Sequence, residues 1–306
     1  MDSPPILVAM LVDAAMPEFN GVALRPRAEV VGFAGESDRP ASGTIPEPAF
    51  GGEKSAFDGD FLILAAGAAL LPGYEGADET SALPAAAFAG RLGGDGISPR
   101  AAGLALDLVP EKPGARVSLG LGPVVRLRMN RSGRIKDPVV AKLGKLRAVI
   151  EGGVTLGVTI KRVFNPHDQL SLGADFRRDI SGRGGGGLIS PSLTYLTPLS
   201  RAQVVGLLAG AEFADRRFAS YNYEVTPAGS AASGLPAFAA KGGLKALNFG
   251  GFTARDLDGN LLNGGLAIGL GAMYTRLKGS AAKTPITAIR GKASQWFFAA
   301  GLGYTF

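Results

Sequence analysis

The chain has no cysteine, a single histidine and a single tryptophan in 306 residues. Without cysteine there can be no disulfide or thiolate metal site, an absence compatible with export into an oxidising compartment. One histidine cannot build a multi-imidazole zinc centre. Long apolar runs are also missing: the longest unbroken apolar or glycine stretches, such as Phe61 to Leu71 (FLILAAGAALL), are near eleven residues. A membrane-spanning helix needs about 20 apolar residues, whereas a tilted spanning strand needs about 9 to 11. Strands fit that length and helices do not.

Glycine, by contrast, is plentiful, with 46 residues. Each interior glycine costs a helix roughly 1 kcal/mol against alanine, while strands use glycine at bends, bulges and crowded inner faces. The 32 Lys and Arg exceed the 26 Asp and Glu, giving a net charge of +6. The basic residues are not interleaved with stacking aromatics, so no nucleic-acid partner is expected. Anionic lipid or glycan, or simple loop solvation, accounts for them.

The last eleven residues, Trp296 to Phe306 (WFFAAGLGYTF), organise the rest. With period two, Trp296, Phe298, Ala300, Leu302, Tyr304 and Phe306 share one face, and Phe297, Ala299, Gly301, Gly303 and Thr305 the other. An apolar outer face, aromatics at its two ends and a small-residue inner face describe the closing strand of an outer-membrane barrel. A final strand of a soluble β-protein is the alternative for this segment alone. Upstream, the alternation recurs. Val117, Leu119, Leu121, Val125 and Leu127 oppose Ser118, Gly120, Gly122, Arg126 and Arg128; Ile150, Val154, Leu156, Val158 and Ile160 oppose Glu151, Gly153, Thr155, Gly157, Thr159 and Lys161. Leu170, Leu172, Ala174 and Phe176 oppose Ser171, Gly173, Asp175 and Arg177. Polar-in, apolar-out segments in series define an all-β fold, an antiparallel up-and-down transmembrane β-barrel in the outer membrane of a Gram-negative bacterium.

Eleven strands read clearly, including one over Ile97 to Val109. Single-chain bacterial barrels have an even number, and Phe218 to Thr226, with Ala219, Tyr221, Tyr223 and Val225 on one face, supplies the twelfth. Ten is the other even solution. Residues 1–60 read as an N-terminal tail ahead of a barrel at 61–306. Ile6 to Met16 has the length of a signal-peptide core, but Asp13 interrupts it and no Lys or Arg precedes it. A misassigned start, a degenerate signal and a true tail all fit.

Several segments in order resemble the MltA-interacting protein/OmpV family of outer-membrane barrels. Pro72-Gly73-Tyr74-Glu75-Gly76-Ala77-Asp78 is similar to its early motif. Tyr223-Glu224-Val225-Thr226-Pro227, Ser233-Gly234-Leu235-Pro236-Ala237-Phe238 and Gly242-Gly243-Leu244-Lys245 resemble its central segment. Leu277 to Ala282, Thr284 to Thr287 and the closing Gly303-Tyr304-Thr305-Phe306 resemble its C-terminal part. The chain departs at Gly73, Ala77, Thr284 and Thr287, and residues 1–60 match nothing in the family. The resemblance implies a non-enzymatic scaffold that brings a lytic murein transglycosylase together with a penicillin-binding synthase.

No catalytic constellation competes with that expectation. His167 lies in a short connection, Asn165 to Asp168, and reads as a solvated turn residue. Asp256 to Asn260 lacks the terminal Glu of a calcium loop and reads as a hairpin turn. Gly182 to Gly187 lacks the Lys-Ser/Thr of a phosphate loop. No cofactor is expected. The stretch from Arg126 to Arg147 is one-sidedly basic, with Asp137 its only acid. Its candidate contacts to an anionic partner are Arg131, Arg134, Lys136, Lys142 and Lys145, weighed against a plain solvated loop. With twelve strands the stretch is expected on the periplasmic side, facing murein enzymes; with ten it is expected outside, facing lipopolysaccharide phosphates. Pro72, Tyr74, Glu75, Gly76, Ser233, Gly234, Leu235 and Pro236 are expected to fix loop shape, and Trp296, Phe298, Tyr304 and Phe306 to close the barrel. The rival from another class is a small-solute channel, depending on whether the inward charges line a pore or pair across it. A barrel lipid hydrolase is a third reading, disfavoured by the lone histidine.

Overall fold

A computed structural model describes residues 56–57, 59–100, 102–110 and 114–306. All but four of the 60 residues read as an N-terminal tail lie outside the described residues. From Phe61 the chain forms twelve antiparallel strands in one closed barrel with nearest-neighbour connections. They are β1 (Phe61–Pro72), β2 (Thr80–Leu92), β3 (Asp95–Arg100), β4 (Gly103–Asp107), β5 (Val117–Arg128) and β6 (Val149–Lys161). The second half comprises β7 (Gln169–Asp179), β8 (Gly187–Ser200), β9 (Gln203–Ala214), β10 (Gly243–Asp256), β11 (Gly265–Leu277) and β12 (Ser294–Thr305). β12 closes on β1, with Ile63 opposite Thr305 and Leu70 opposite Phe298.

The alternating pattern explains the wall. On β12, Trp296, Phe298, Leu302 and Tyr304 point outward and are 53, 46, 48 and 46% exposed, while Gln295 and Phe297 point inward and are buried. Leu119, Leu121 and Val125 on β5 and Leu207 on β9 are likewise exposed. So large a contiguous apolar band is unfavourable in water by about 25 cal/mol per Å², and it is the surface a bilayer covers. Stacked Trp296 and Phe298, with Tyr274 5.1 Å from Trp296, mark one edge of the band; Tyr304 and Phe306, 4.7 Å apart, mark the other. No helix among the described residues is long and apolar enough to cross a membrane.

The strand count of twelve is reached by a different route from the one expected. Ile97 to Val109 is not one strand: it is divided between β3, which starts earlier at Asp95, and β4, the two pairing as a short hairpin with Ala102 at φ 50° just before β4. β3 and β4 have six and five residues against twelve to fourteen for most others, and β2 pairs with β3 only through Gly90, Arg91 and Leu92. Phe218 to Thr226 is not a strand. Its first part belongs to helix α2 (Arg216–Tyr223), after α1 (Pro138–Ala141) and before α3 (Pro227–Ser233), α4 (Gly279–Lys283) and α5 (Pro285–Ala288). Asp215 caps α2, its side chain accepting from Phe218 N at 2.7 Å. Phe218, Ala219, Asn222 and Tyr223 are buried on one helical face. That i, i+1, i+4, i+5 spacing is helical and does not fit a strand, on which Phe218 and Ala219 would face opposite ways.

Exchanging a strand at 218 for an extra one at 95–107 changes the side of the basic stretch. The chain enters and leaves the barrel at one end, and at that end the connections are mostly short, such as residues 93–94 and 201–202. The opposite end carries the long ones: 73–79, 129–148, 215–242 and 278–293. In bacterial barrels the short turns face the periplasm and the long loops face outward. The basic stretch therefore lies with the long loops, not on the periplasmic side as the twelve-strand count had placed it.

Candidate functional site: a capped lumen

The long loops meet over the barrel mouth, and the family-motif residues sit at their meeting points. Glu75, in the first loop, is buried and receives a hydrogen bond from the Tyr223 hydroxyl at 2.7 Å. Lys245 Nζ of β10 lies 3.0 Å from Glu75 Oε1 and also pairs with Glu212 of β9. The backbone N–H of Glu75 donates to Asn130 Oδ1, and that of Gly76 to Gln295 Oε1, both at 3.1 Å. Gly76 is required twice over: its φ is +91°, and an added Cβ would fall 2.2 Å from Thr287 Oγ1.

The central motif is a helix with its own start and stop signals. Thr226 Oγ1 accepts from Gly229 N at 3.0 Å, Pro227 opens α3, and Gly234 ends it at φ 78°. Ser233 Oγ donates to Gly229 O, and Leu235 N donates back to Ser233 Oγ. Leu235 then packs with Tyr74, Ala77, Val140, Val225 and Ile286, a cluster drawn from all four long loops.

Below this cap a second charged group lines one side of the lumen, on three neighbouring strands. Glu151 of β6 takes Arg128 of β5 and Arg177 of β7, each at 2.8 Å. All three are buried, and an isolated charge at such depth is too costly unless paired. Phe218 of α2, fully buried, fits between two wall cations: Arg128 lies 4.2 Å and Lys245 5.2 Å from its ring centre. Helix α2 is thus a plug pinned by the wall's own charges.

Under the plug lies a cavity of about 540 Å³ that reaches the terminal end at Gly94 and Val109. Its two halves differ. β6, β7 and β8 present Thr155, Thr159, Ser171, Ser190, Ser192 and Thr194; on the strands that follow, Leu208 of β9 (paired with Thr194), Phe252 of β10 and Met273 of β11 belong to the apolar packing of the other half of the barrel. Arg100, at the tip of the β3–β4 hairpin, spans the lumen to Asp175 of β7 at 2.8 Å.

The basic loop is less uniform than its sequence. Arg131 is buried, 5% exposed, among Tyr74, Tyr221 and Tyr223, and burial lowers its pKa to about 10. Lys136 donates to Thr80 O and Ser81 Oγ at the head of β2. Arg134, Lys142 and Lys145 face solvent. Burial pushes the Asp137 carboxyl up, but the N–H groups of Val140 and Val139 and the Arg290 guanidinium outweigh it and hold its pKa below the usual range. His167 sits exposed on the β6–β7 turn, and no group of metal-ligating side chains occurs among the described residues. The sequence pattern missed the Glu75–Lys245 and Glu151–Arg177 pairs as pairs, although it placed Arg126, Arg128, Glu151, Asp175 and Arg177 on the inner face.

A closed antiparallel barrel with an apolar outer band and a charged, capped interior is an outer-membrane β-barrel. Residues 64–306 match the family described as MltA-interacting protein MipA, and the chain belongs to that family. It is located in the outer membrane. Among curated proteins none matches. Solved structures that align with it include the outer membrane protein OprD from Pseudomonas aeruginosa, at 12% identity over 80% of this chain and 65% of that one, TM-score 0.32. Another is Pseudomonas aeruginosa OccK11 (OpdR), at 12% identity over 81% and 95%, TM-score 0.30. The chain thus spans just under two thirds of OprD.

Proposed function

We propose that this barrel is a non-enzymatic scaffold that holds a lytic murein transglycosylase of the MltA type near a penicillin-binding synthase at the inner surface of the outer membrane. The observation that carries the reading is the match of residues 64–306 to a family named for interaction with MltA. The lumen supports it against a solute channel: the Glu75–Lys245–Glu212 and Arg128–Glu151–Arg177 groups and Phe218 fill the outer half.

The short-turn end, which faces the periplasm in such barrels, is the surface we assign to murein enzymes. The turn at 257–264 is the best-built platform there. Asp256 Oδ1 accepts from the N–H groups of Asp258, Gly259 and Asn260, holding Leu257 out at 56% exposure. The exposed cations Arg134, Lys142 and Lys145 lie at the other end, where lipopolysaccharide phosphates are their fitting partners. Affinity purification of the tagged protein from solubilised outer membranes, with mass spectrometry of what is retained, tests the scaffold.

A further inference from the structure

We propose that the outward-facing rim over β6, β7, β8 and β9 is a docking site for the phosphorylated headgroup of an outer-leaflet lipid; the proposal does not rest on the scaffold reading and uses none of the lumenal charges. Five arginines meet there. Arg178 is the second-to-last residue of β7, at the long-loop end. Arg183 follows on the 180–186 turn, its Nη1 donating to Ala148 O next to Arg147. The Tyr221 hydroxyl of α2 ties down the Arg147 backbone, donating to its carbonyl at 2.8 Å and accepting from its N–H at 3.1 Å. Arg216 and Arg217 open the same helix.

All five are exposed, and none has an ion-pair partner among the described residues. The two carboxylates of the same rim are already engaged by the backbone. Asp179 accepts from the N–H groups of Ser181 and Gly185, and Asp215 from those of Phe218 and Gly187. Like charges gathered on neighbouring strands repel one another, and a multivalent anion relieves that repulsion. Phosphate is the anion that guanidinium groups suit best, because their planar fork meets two of its oxygens at once.

The row beneath makes the phosphate a lipid's. Val154, Phe176, Ile189 and Phe213 are cross-strand partners in one line, all on the outer face and all exposed. One step toward the long loops, about 7 Å on, the line reads Gly152, Arg178, Gly187. Arg178 thus stands between two residues without side chains, its stem leaning over Gly187, where an added Cβ would lie 3.9 Å from its Cγ. The two glycines leave a notch beside the guanidinium. A charge on the lipid face is tolerated only near the interface, so the row of Arg178 is at headgroup depth and the apolar row below it is at acyl depth. A lipid whose chains cover Phe176 and Ile189 brings its phosphate to Arg178, with Arg147 and Arg183 above it.

The test is native mass spectrometry of the full chain in detergent micelles, titrated with bisphosphorylated lipid A, monophosphorylated lipid A and phosphatidylethanolamine. Bisphosphorylated lipid A is expected to bind at least fivefold more tightly than the monophosphorylated form, with phosphatidylethanolamine weakest and the preference shrinking as salt rises. Arg178→Gln combined with Arg183→Gln is expected to weaken bisphosphorylated lipid A at least tenfold. Both side chains are exposed, and retained heat-modifiable gel mobility shows that the variant is folded. Lys136→Gln combined with Lys292→Gln removes the same charge at the same end, over β2 and β12, and is expected to leave binding within twofold. Equal affinity for the three lipids, binding unchanged in the arginine variant, an equal loss in the lysine variant, or displacement of the lipid by millimolar inorganic phosphate overturns the proposal.

Discussion

The Tyr223 hydroxyl donates to Glu75 Oε2 at 2.7 Å, joining helix α2 to the first loop across 148 positions of sequence. That bond places the acid of one family segment against the aromatic of another, and Lys245 of the same segment completes the group from the wall. The cap is therefore one cooperative unit, and its stability rests on a buried acid.

Glu75→Ala removes the acid from between Tyr223 and Lys245. Breaking a buried pair costs ~3–5 kcal/mol, and the low end is expected because Glu212 still holds Lys245. The check is the temperature at which the barrel loses its compact gel mobility. Glu75→Gln, which keeps an acceptor for the Tyr223 hydroxyl and leaves Lys245 on Glu212, should lose less than Glu75→Ala.

Asp137 links α1 to the last loop through Arg290, at 2.8 Å. Its folded pKa is depressed, so the stability it contributes is present above its unfolded pKa, about 3.9, and disappears as pH falls through the lower folded value. Cleavage of loop 129–148 by pepsin should rise steeply below about pH 4. In Asp137→Asn the loop should be cut at higher pH as well, flattening the profile.

The plug has a direct electrical consequence. The protein in planar bilayers should show no steady conductance, and Phe218→Ala should produce intermittent openings by loosening α2 between Arg128 and Lys245. Loss of so buried a ring costs ~3–5 kcal/mol, which the cap feels before the strands do. A steady wild-type conductance would favour the channel.

Orientation is testable because the chain is free of cysteine. In intact cells a membrane-impermeant maleimide should label Lys145→Cys and spare His167→Cys until the outer membrane is permeabilised. The reverse pattern would put the short turns outside and return the basic loop to the periplasm.

The wall was legible in the sequence because each strand has one face in lipid and one in the lumen. Period two then survives even where Gly replaces larger residues, as along Gly120 and Gly122 of β5. Two segments defeated the same rule. Ala219, Tyr221, Tyr223 and Val225 alternate like a strand, but the Asp215 cap starts a helix whose buried face, Phe218, Ala219, Asn222 and Tyr223, has a different period. Between Arg100 and Gly103 the sequence carries no Asn-Gly or Asp-Gly signal, so the two short strands β3 and β4 read as one. Of the cap, the motif order was visible, but its partners were not. Glu75 meets Lys245 only after the strands between them have closed, and no local pattern encodes that distance.

Retention of murein enzymes by the tagged barrel from solubilised outer membranes is the most direct test of the scaffold. Recovery of a lytic transglycosylase together with a penicillin-binding protein, reduced by Leu257→Asp on the periplasmic turn and unchanged by Lys145→Glu on the outer loop, is the predicted result. Recovery of neither enzyme with the folded barrel would contradict it.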